Sequence, residues 1–356
     1  MSSKSSRLLV AATTLAALLM GAGANAATQY NITPLDQLPG GHYLYAYAVN
    51  DAGLVTGYGY SQGTNLGFVW QQGQLTSLGT LPGGGTSGGY GINNAGVIAG
   101  SSGSDAFVWQ NGLMQQLPRL AGADYGHAYA INDGGEVAGV SGGTAVVWRN
   151  GQVVALPGLN GQDSALAISI NNQGVMAGIS YTSAYNPSAV IWRDGQVQVL
   201  GSSPYVGAGA TDIANNDAVA GFVELGGNRS QAARWDRGQI TLLDNLTDTQ
   251  FARAYGINDA GLVVGTSFAG SGSVATLWEG TEATALQDLV LNNEGWHLWQ
   301  AQDISNAGHI IGWGQLNGQA QSFLLTPVPE ATTTSYALIG MLSLLFASRR
   351  KNRSHA

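Results

Sequence analysis

The chain has 356 residues, of which 53 are glycine, none is cysteine and only 10% are charged. Glycine is about twice as frequent as in ordinary proteins, but it does not recur at every third position, which excludes collagen. The lack of cysteine excludes disulfide scaffolds, thiolate metal sites and thiol catalysis. A hydrophobic fraction of 44% with so few charges predicts a large buried core rather than a disordered chain.

Residues 1–26 have the features of a secretory signal peptide. Lys4 and Arg7 precede an apolar run at residues 8–20, and the segment ends in an Ala-x-Ala pattern. This pattern predicts cleavage by signal peptidase between Ala26 and Ala27 and export through the inner membrane. A short membrane anchor is the alternative, which the length of the run and the small residues after it disfavour.

Residues 327–356 form a second sorting segment in the predicted organisation. A polar linker leads to an apolar stretch at 336–347, which is short for a full membrane span. The basic residues after it are expected to stay cytoplasmic, so that the segment anchors the chain in the membrane transiently. The marker residues are Val328, Pro329 and Glu330 at the start and Arg349, Arg350 and Lys351 at the end.

This layout resembles a PEP-CTERM sorting domain, found on exported proteins of Gram-negative bacteria that make extracellular polysaccharide. The resemblance implies recognition and cleavage by an exosortase, a membrane-embedded protease, and a destination in the cell envelope or outside the cell. Ala331 departs from the pattern, since the family usually has a second proline there. An ordinary C-terminal anchor is the alternative.

Between these ends, residues 27–326 consist of a repeat. A phrase of the form small-x-small-Ile/Val-Asn-x-x-Gly-x-Val/Ile-x-Gly occurs in seven copies, and we number the corresponding units 1 to 7. We call the asparagine position the anchor, and successive anchors are 39 to 47 residues apart. The anchors are Asn50, Asn93, Asn132, Asn171, Ala214, Asn258 and Ser305.

A second phrase follows each copy and ends in an aromatic residue, after which comes a turn such as Asn111-Gly112. Both phrases contain short alternating apolar stretches, which are typical of strands, and their Asn-Gly and Asn-x-x-Gly turns suit tight hairpins. Each unit is therefore predicted to contain four strands. The aromatic residues are Trp70, Trp109, Trp148, Trp192, Trp235, Trp278 and Phe323.

Four strands per unit predict an all-β fold, either a seven-bladed β-propeller or an open β-solenoid. Residues 29–41 match the fourth strand and following loop of unit 1 at 74–84, whereas unit 7 lacks a fourth strand. An N-terminal strand that completes the last blade would close the ring and leave no free edge. We therefore expect a closed propeller, flanked by an N-terminal signal helix and a C-terminal hydrophobic helix.

The run Asp105-Ala106-Phe107-Val108-Trp109, beside the phrase at 91–96, resembles the extracellular HAF repeat, which is named after a His-Ala-Phe run. Asp105 stands where that histidine would be. The resemblance implies an exported repeat protein and assigns no catalytic residues.

The recurrent tryptophans are expected to pack between blades rather than to form a stacking platform for sugars. Tyr47, Tyr90, Tyr129 and Tyr255 lie three residues before their anchors. Simple strand alternation predicts that they also belong to the core between blades. The alternative is a ring of hydroxyl groups around the mouth of the channel.

Loops before the first strand of each unit gather on one face of a propeller and are natural binding positions. The candidate binding residues are His42, Tyr45, Tyr125, His127, Arg253, Trp296, His297 and Trp299. Solvated loop positions and irregular packing are the alternatives. These candidates favour an exported, non-enzymatic envelope or matrix protein that binds polysaccharide or a matrix protein on one face.

The alternative function is a glycoside hydrolase or lyase that uses acids in the same loops, such as Asp124, Asp163 and Asp212. No cofactor is expected. The sequence has no calcium-binding loop of alternating acids and no zinc-type pair of histidines, so no metal site is predicted. Residues 27–326 contain seven arginines and no lysine against twenty acidic residues, a net charge of −13. Such a body repels phosphate backbones, which argues against nucleic acid as a partner.

Overall fold

The computed structural model describes residues 27–329 apart from 162–163, 182–186, 202–204, 228, 247–250 and 270–271. The predicted signal peptide, and the sorting segment from Glu330 onward with Arg349, Arg350 and Lys351, lie outside the described residues. Within the described part of the chain, no helix is long and apolar enough to cross a membrane. Residues 30–327 form one compact part of the chain. Gln29 and Val328 belong to a second part, in which the Val328 N–H donates to the Gln29 carbonyl at 2.8 Å.

After β1 (Tyr30–Pro34), the strands follow one another in antiparallel meanders of four. Unit 1 contains β2 (Leu44–Val49), β3 (Val55–Ser61), β4 (Thr64–Gln71) and β5 (Gln74–Gly79). Unit 2 contains β6 (Ser87–Ile92), β7 (Ile98–Ser102), β8 (Asp105–Gln110) and β9 (Leu113–Gln116). Unit 3 contains β10 (Gly126–Ile131), β11 (Val137–Ser141), β12 (Thr144–Arg149) and β13 (Gln152–Ala155). Unit 4, after a 3-10 turn (Leu159–Gly161), contains β14 (Ala165–Ile170), β15 (Met176–Tyr181), β16 (Pro187–Arg193) and β17 (Gln196–Val199).

The next two groups are joined edge to edge. Unit 5 contains β18 (Gly207–Ile213), β19 (Val219–Gly226), β20 (Arg229–Asp236) and β21 (Gln239–Leu242), and unit 6 contains β22 (Phe251–Ile257), β23 (Val263–Ala269), β24 (Gly272–Glu279) and β25 (Glu282–Ala285). A single parallel bridge between Ser230 and Phe251 links β20 to β22. The two meanders therefore count as one sheet of eight strands.

The last sheet joins the two ends of the repeat region. It contains β26 (Val290–Leu291), β27 (Trp296–Ile304), β28 (Ile310–Leu316) and β29 (Gln319–Pro327), and a short helix α1 (Leu286–Leu289) precedes it. The N-terminal strand β1 pairs antiparallel with β29, from Tyr30 opposite Pro327 to Pro34 opposite Phe323. This is the closing pair that the sequence predicts, and it supplies the strand that unit 7 lacks. On its other edge β1 makes a short parallel pairing with β26.

The first strands of the units contact one another in succession. β2 contacts β6, each following first strand contacts the next, and β27 of unit 7 contacts β2 again. Meanders of four strands that are arranged around a common centre in this way form a β-propeller. The first strand of each unit therefore lines the centre, and the later strands lie progressively farther out.

The core lies between neighbouring sheets. Trp192, fully buried, packs with Ala138 and Val147 of unit 3 and with Met176 of its own unit. Its indole N–H donates to the Pro157 carbonyl at 2.8 Å. Trp70, Trp148, Trp235 and Trp278 are likewise buried, and Trp109 is partly buried. The prediction that the recurrent tryptophans pack between blades is confirmed.

The turns have the conformations that their sequences predict. Asn111 and Gly112 both have positive φ, 51° and 85°, as a two-residue hairpin requires. In the anchor turn of unit 2, the Asn93 Oδ1 accepts hydrogen bonds from the N–H groups of Ala95 at 3.1 Å and Val97 at 2.9 Å. Such side-chain caps hold each turn at one end of the central strands.

Candidate functional site in the axial cavity

A cavity of about 690 Å³ lies between the first strands, and residues from all seven units line it. One end is formed by the anchor turns, and we call it the turn end. The cavity extends from these turns to the residues three positions before the anchors, and as far as His127 and Leu166 in units 3 and 4. The face of the propeller on which the first strands begin is called the start face.

Every first strand contains a β-bulge at the residue three positions before the anchor. The register of its pairing with the second strand skips one residue there, for example Tyr90 between Gly89 and Gly91. A bulge places two residues opposite one and re-aims the extra side chain. The residues bulged at this position all line the cavity and are Tyr47, Tyr90, Tyr129, Ile168, Thr211, Tyr255 and Gln302. Strand β27 has a second bulge at Trp299, which does not line the cavity.

The bulges correct the expectation that the four tyrosines belong to the core between blades. Simple alternation places Tyr47 on the same face as Val49, but the extra residue changes the alternation and turns the ring toward the axis. The tyrosines are partly exposed and line the cavity, which matches the alternative that the sequence left open. Burial raises the pKa of Tyr47, Tyr129 and Tyr255, so these residues present hydroxyl groups.

The tyrosines of units 1 to 3 belong to a continuous series of ring contacts. The Tyr47 and Tyr90 centroids are 5.4 Å apart, and those of Tyr90 and Tyr129 are 6.4 Å apart. His127 stacks against Tyr129 at 6.4 Å and contacts Tyr125 at 5.6 Å. We call these five residues the inner arm. Burial lowers the pKa of His127, which favours its neutral imidazole.

The series continues outside the cavity, on the side where the first strands begin, toward unit 7. Tyr58 contacts both Tyr47 and Tyr45, at 5.7 and 5.6 Å. Tyr45 contacts Trp313 at 5.8 Å, and Trp313 contacts Trp299 at 5.6 Å. Tyr58, Tyr45, Trp313 and Trp299 do not line the cavity, and we call them the outer arm. The two arms together are the aromatic arc.

Units 5 and 7 each contribute an aspartate to the wall of the cavity. Asp212 and Asp303 occupy the same position, two residues before the anchor, and unit 6 has Gly256 there. The Asp212 carboxylate accepts hydrogen bonds from Ser169 Oγ at 2.6 Å and from the N–H groups of Ile213 and Ile257 at 2.8 Å. Asp212 therefore lies at the end of β18 in the cavity wall, not in the loop before that strand as expected.

Asp303 has a parallel arrangement. Its carboxylate accepts from its neighbour's N–H, that of Ile304, at 2.8 Å and from the Val49 N–H of unit 1 at 2.9 Å. Burial, and then the charge of Asp212, raise the pKa of Asp303 to about 7. Burial likewise raises the pKa of Asp212. Because both oxygens of each carboxyl accept backbone N–H groups, the pair links neighbouring units.

At the turn end, the residue after each anchor forms a ring of hydrogen bonds. Its side-chain oxygen accepts the backbone N–H of the corresponding residue in the preceding unit, at 2.7 to 3.0 Å. The ring closes where Asp51 accepts the N–H of Ala307. We call this set the turn ring, and it consists of Asp51, Asn94, Asp133, Asn172, Asn215, Asp259 and Asn306.

The charged side chains among the described lining residues are acidic. Among the described residues that line it there is no lysine or arginine, whereas its aspartates are Asp51, Asp133, Asp212, Asp259 and Asp303. Carboxylates without a cation nearby repel anionic ligands. Such a cavity suits uncharged or positively charged ligands. In the described part of the chain, no group of three acids or histidines is arranged to hold a metal ion.

Of the predicted binding residues, Tyr45, Tyr125, His127 and Trp299 lie in the aromatic arc. His42 is exposed and contacts the Tyr60 ring at 4.4 Å, so it does not meet His127 at the axis. Trp313 stands outside the recurrent tryptophan position, as Trp296 and Trp299 do, and this makes it a binding candidate from the sequence. Nothing in the sequence singles out Tyr58, whose place in the arc comes from its contacts with Tyr45 and Tyr47.

The remaining predicted residues lie elsewhere. Trp296 is buried against Phe323, His297 is exposed, and Arg253 pairs with Glu224 at 2.8 Å and lies 4.1 Å above the Phe222 ring. These three residues do not line the cavity. Asp124 is exposed in the loop before β10, and Asp163 lies outside the described residues.

Comparison with known proteins shows the fold alone. No family model and no curated protein matches the sequence. A puromycin-hydrolysing peptidase from Mycobacterium tuberculosis is 13% identical with a TM-score of 0.55, and the match covers 83% of this chain but only 54% of that one. YCF48 bound to D1 peptide is also 13% identical with a TM-score of 0.53, over 85% of this chain and 96% of that one. The β-propeller domain of the Trilobed protease from Pyrococcus furiosus is 10% identical with a TM-score of 0.47, over 83% and 93%. The first two similarities extend over most of the described chain and agree with the architecture built from its strand pairings.

Proposed function

We propose that this protein is an exported, non-enzymatic β-propeller of seven blades that binds glycan in its axial cavity. The blade count rests on the seven anchors and on the succession of first strands around the cavity. The observation that carries the binding function is the aromatic arc, of which Tyr47, Tyr90, Tyr129 and His127 line the cavity.

The chemistry of the site fits sugars. Aromatic rings offer flat apolar faces for the C–H surfaces of a sugar, and tyrosine adds a polar edge. Pockets for small ligands combine such faces with a few polar groups that fix orientation. Here the hydroxyl groups of Tyr47, Tyr90 and Tyr129 and the amide of Gln302 provide the polar groups. The negative charge of the cavity favours glycans without acidic substituents.

The location is part of the proposal. Residues 1–26 would be removed by signal peptidase, and the segment from Val328 and Pro329 onward would be processed by an exosortase-type protease, leaving the propeller in the envelope or matrix. Mass spectrometry of the mature protein tests this directly. A mature chain that retains Arg349 to Lys351 in an exosortase-positive strain contradicts the processing.

An enzyme of the glycoside hydrolase or lyase type is less well supported. A carboxyl with a raised pKa, such as Asp303, could serve as a general acid. However, the oxygens of Asp303 and Asp212 accept backbone N–H groups, and Asp124 lies outside the cavity wall. We therefore assign the buried aspartates to structure and not to catalysis.

The binding test compares the unmodified protein with Tyr90→Ala on an array of glycans. Loss of this ring interrupts the inner arm between Tyr47 and Tyr129, so we expect binding to weaken about three- to tenfold. Phe268→Ala removes a partly exposed aromatic ring of unit 6 outside the arc and is the matched control. Equal binding by Tyr90→Ala and the unmodified protein contradicts the site, and turnover of any bound glycan contradicts the non-enzymatic assignment.

A further inference from the structure

The arginines of the repeat region form their ion pairs away from the cavity. Residues 27–326 contain seven arginines and no lysine, and six of these arginines pair with an acid. None of the acids in these pairs lines the cavity. In the described part of the chain, the five cavity aspartates therefore have no cationic side chain as a partner. The paired arginines are Arg119, Arg149, Arg193, Arg234, Arg237 and Arg253.

Three of the cavity aspartates belong to the turn ring and are accessible from the turn end. Asp133 and Asp259 are exposed, and Asp51 is partly exposed. The groups that donate hydrogen bonds to them are uncharged; Asp133, for example, accepts the Asn94 N–H at 2.8 Å and the Asn172 amide at 2.9 Å. Neutral donors satisfy the oxygens without cancelling their charge. A cation that enters from the turn end therefore meets a ring of one sign.

The wall beyond the turn ring offers aromatic faces and no opposing charge. The bulges turn Tyr47, Tyr90, Tyr129 and Tyr255 toward the axis. An ammonium group within about 6 Å of the centre of such a ring is attracted to its face. Burial lowers the pKa of His127, so its neutral imidazole adds no positive charge to the wall. The tyrosines and the aspartates thus favour the same kind of ligand, a cation.

The rest of the lining suits a sugar better than the side chain of a basic peptide. A cavity of about 690 Å³ is in the size range of sites for small ligands. The tyrosine hydroxyl groups and the Gln302 amide distribute hydrogen-bonding groups along the wall. A sugar carries hydroxyl groups on all sides and can use several of them, whereas a lysine side chain is polar only at its tip.

From these observations we infer, building on the proposed glycan-binding function, that the axial cavity recognises an amino glycan, whose sugars carry protonated amino groups. The ammonium groups lie among the aspartates of the turn ring and over the tyrosine rings. The hydroxyl groups of the sugars bind the tyrosine hydroxyls and Gln302. Acetylation of the amine removes its charge, so an N-acetylated glycan of the same linkage loses both attractions.

The test compares amino sugars with their N-acetylated counterparts by calorimetry, in slightly acidic buffer in which the amines are protonated. The ligands are glucosamine, galactosamine and the chitosan hexasaccharide, each beside its fully acetylated form. At low salt we expect at least one amino ligand to bind at least about tenfold more tightly than its acetylated form. This difference should shrink at about 0.5 M salt, because screening weakens the attraction between the charges.

A variant of the turn ring tests the position of the site. Asp259 accepts the Asn215 N–H at 2.7 Å, and Asn215 itself accepts the Asn172 N–H at 2.9 Å, so asparagine suits this position. Asp259→Asn should weaken binding of the amino ligand about two- to fivefold and leave its acetylated form unaffected. Asp124→Asn removes the same charge from an exposed loop outside the cavity and is the matched control.

The outcomes separate this inference from the proposed function. Equal binding of amino and acetylated ligands overturns the inference and leaves glycan binding intact. The same holds if Asp259→Asn binds no more weakly than Asp124→Asn, or if neutral glycans bind and no amino ligand does. A lysine hexapeptide that binds as tightly as the chitosan hexasaccharide shows selection of charge alone and also overturns the inference. Failure of every glycan tested to bind overturns the proposed function itself.

Discussion

Asp303 and Asp212 occur in the two units that lack the anchor asparagine. In units with the asparagine, its side-chain amide donates to the next anchor's carbonyl, as from Asn93 to Asn132 at 3.1 Å. Ala214 and the Ser305 hydroxyl have no such amide to offer. In these units the aspartate instead accepts the N–H of the next unit, at Ile257 and Val49. At these two junctions a unit accepts a hydrogen bond from the next unit, whereas at the others it donates one.

The raised pKa of Asp303 makes the stability of the fold depend on pH. The ordinary pKa of 3.8 applies to the unfolded chain, and the folded value is about 7. Between these values the unfolded chain releases its proton while the folded chain keeps it, so stability from this group is full below about pH 4 and falls as the pH rises to about 7. We expect urea unfolding of Asp303→Asn to show a shallower decline across this range.

The same variant should be less stable at low pH, because the amide NH₂ of asparagine would face one of two N–H donors. Asp124→Asn changes an exposed loop carboxyl and is the matched control. A decline in Asp303→Asn as steep as that of the unmodified protein would show that Asp303 does not titrate in this way.

At the scale of the strand, the bulge explains why one position of the repeat is always glycine although it does not lie in a turn. The repeat phrase ends in a glycine seven residues after the anchor, in the second strand, where φ is not positive. A Cβ there would overlap the carbonyl oxygen of the residue five before the anchor, as Gly100 with Gly88. The bulge brings the first strand this close. The glycines concerned are Gly57, Gly100, Gly139, Gly178, Gly221, Gly265 and Gly312.

Gly100→Ala should therefore destabilise the protein by at least about 2 kcal/mol, because the added methyl group meets fixed backbone and the Phe107 ring. Gly126→Ala is the matched control, since its Cβ would meet its nearest atom at 3.6 Å, an ordinary contact. Chemical denaturation of both variants gives the comparison. Equal stability of the two would mean that the bulge does not impose this glycine.

Sequence patterns predict strands, turns and the closing strand well, since these depend on neighbouring residues. They do not reveal the bulge, because an extra residue leaves the composition of the strand unchanged while it changes which face Tyr47 and Tyr90 occupy. They also place Asp212 in a loop and give no signal for Asp303. The aromatic arc depends on contacts such as Tyr45 with Trp313, which come from opposite ends of the repeat region. Only closure of the ring brings them together.

At the scale of the whole molecule, closure depends on β1 and on the residues that follow it. Leu35 and Leu38 are buried with Phe68 and Ile311, in a cluster that unites unit 1 with unit 7. Without them, β29 would expose a free edge and this cluster would open.

Deletion of residues 29–38 should cost about 3 kcal/mol or more, because two buried leucines and a strand pairing are lost together. The measurements are thermal melting and sedimentation, since the exposed edge promotes association. A chain that lacks only residues 1–26 is the control, and a peptide of residues 27–41 added in trans should restore the melting temperature. Unchanged melting after the deletion would refute closure by β1.

The turn ring also bears on how such a molecule could arise. Each unit offers an oxygen to the unit before it and an N–H to the unit after it, with the same pairing at the six junctions from unit 1 to unit 7. At the closing junction the donor is instead Ala307. A tandem duplication of one unit therefore creates a junction whose hydrogen bonds are already provided for. The number of units is limited because successive blades must together complete one turn around the central axis. Among the described sheets, the seam between β1 and β29 is the junction inside a blade that joins the two ends of the repeat region.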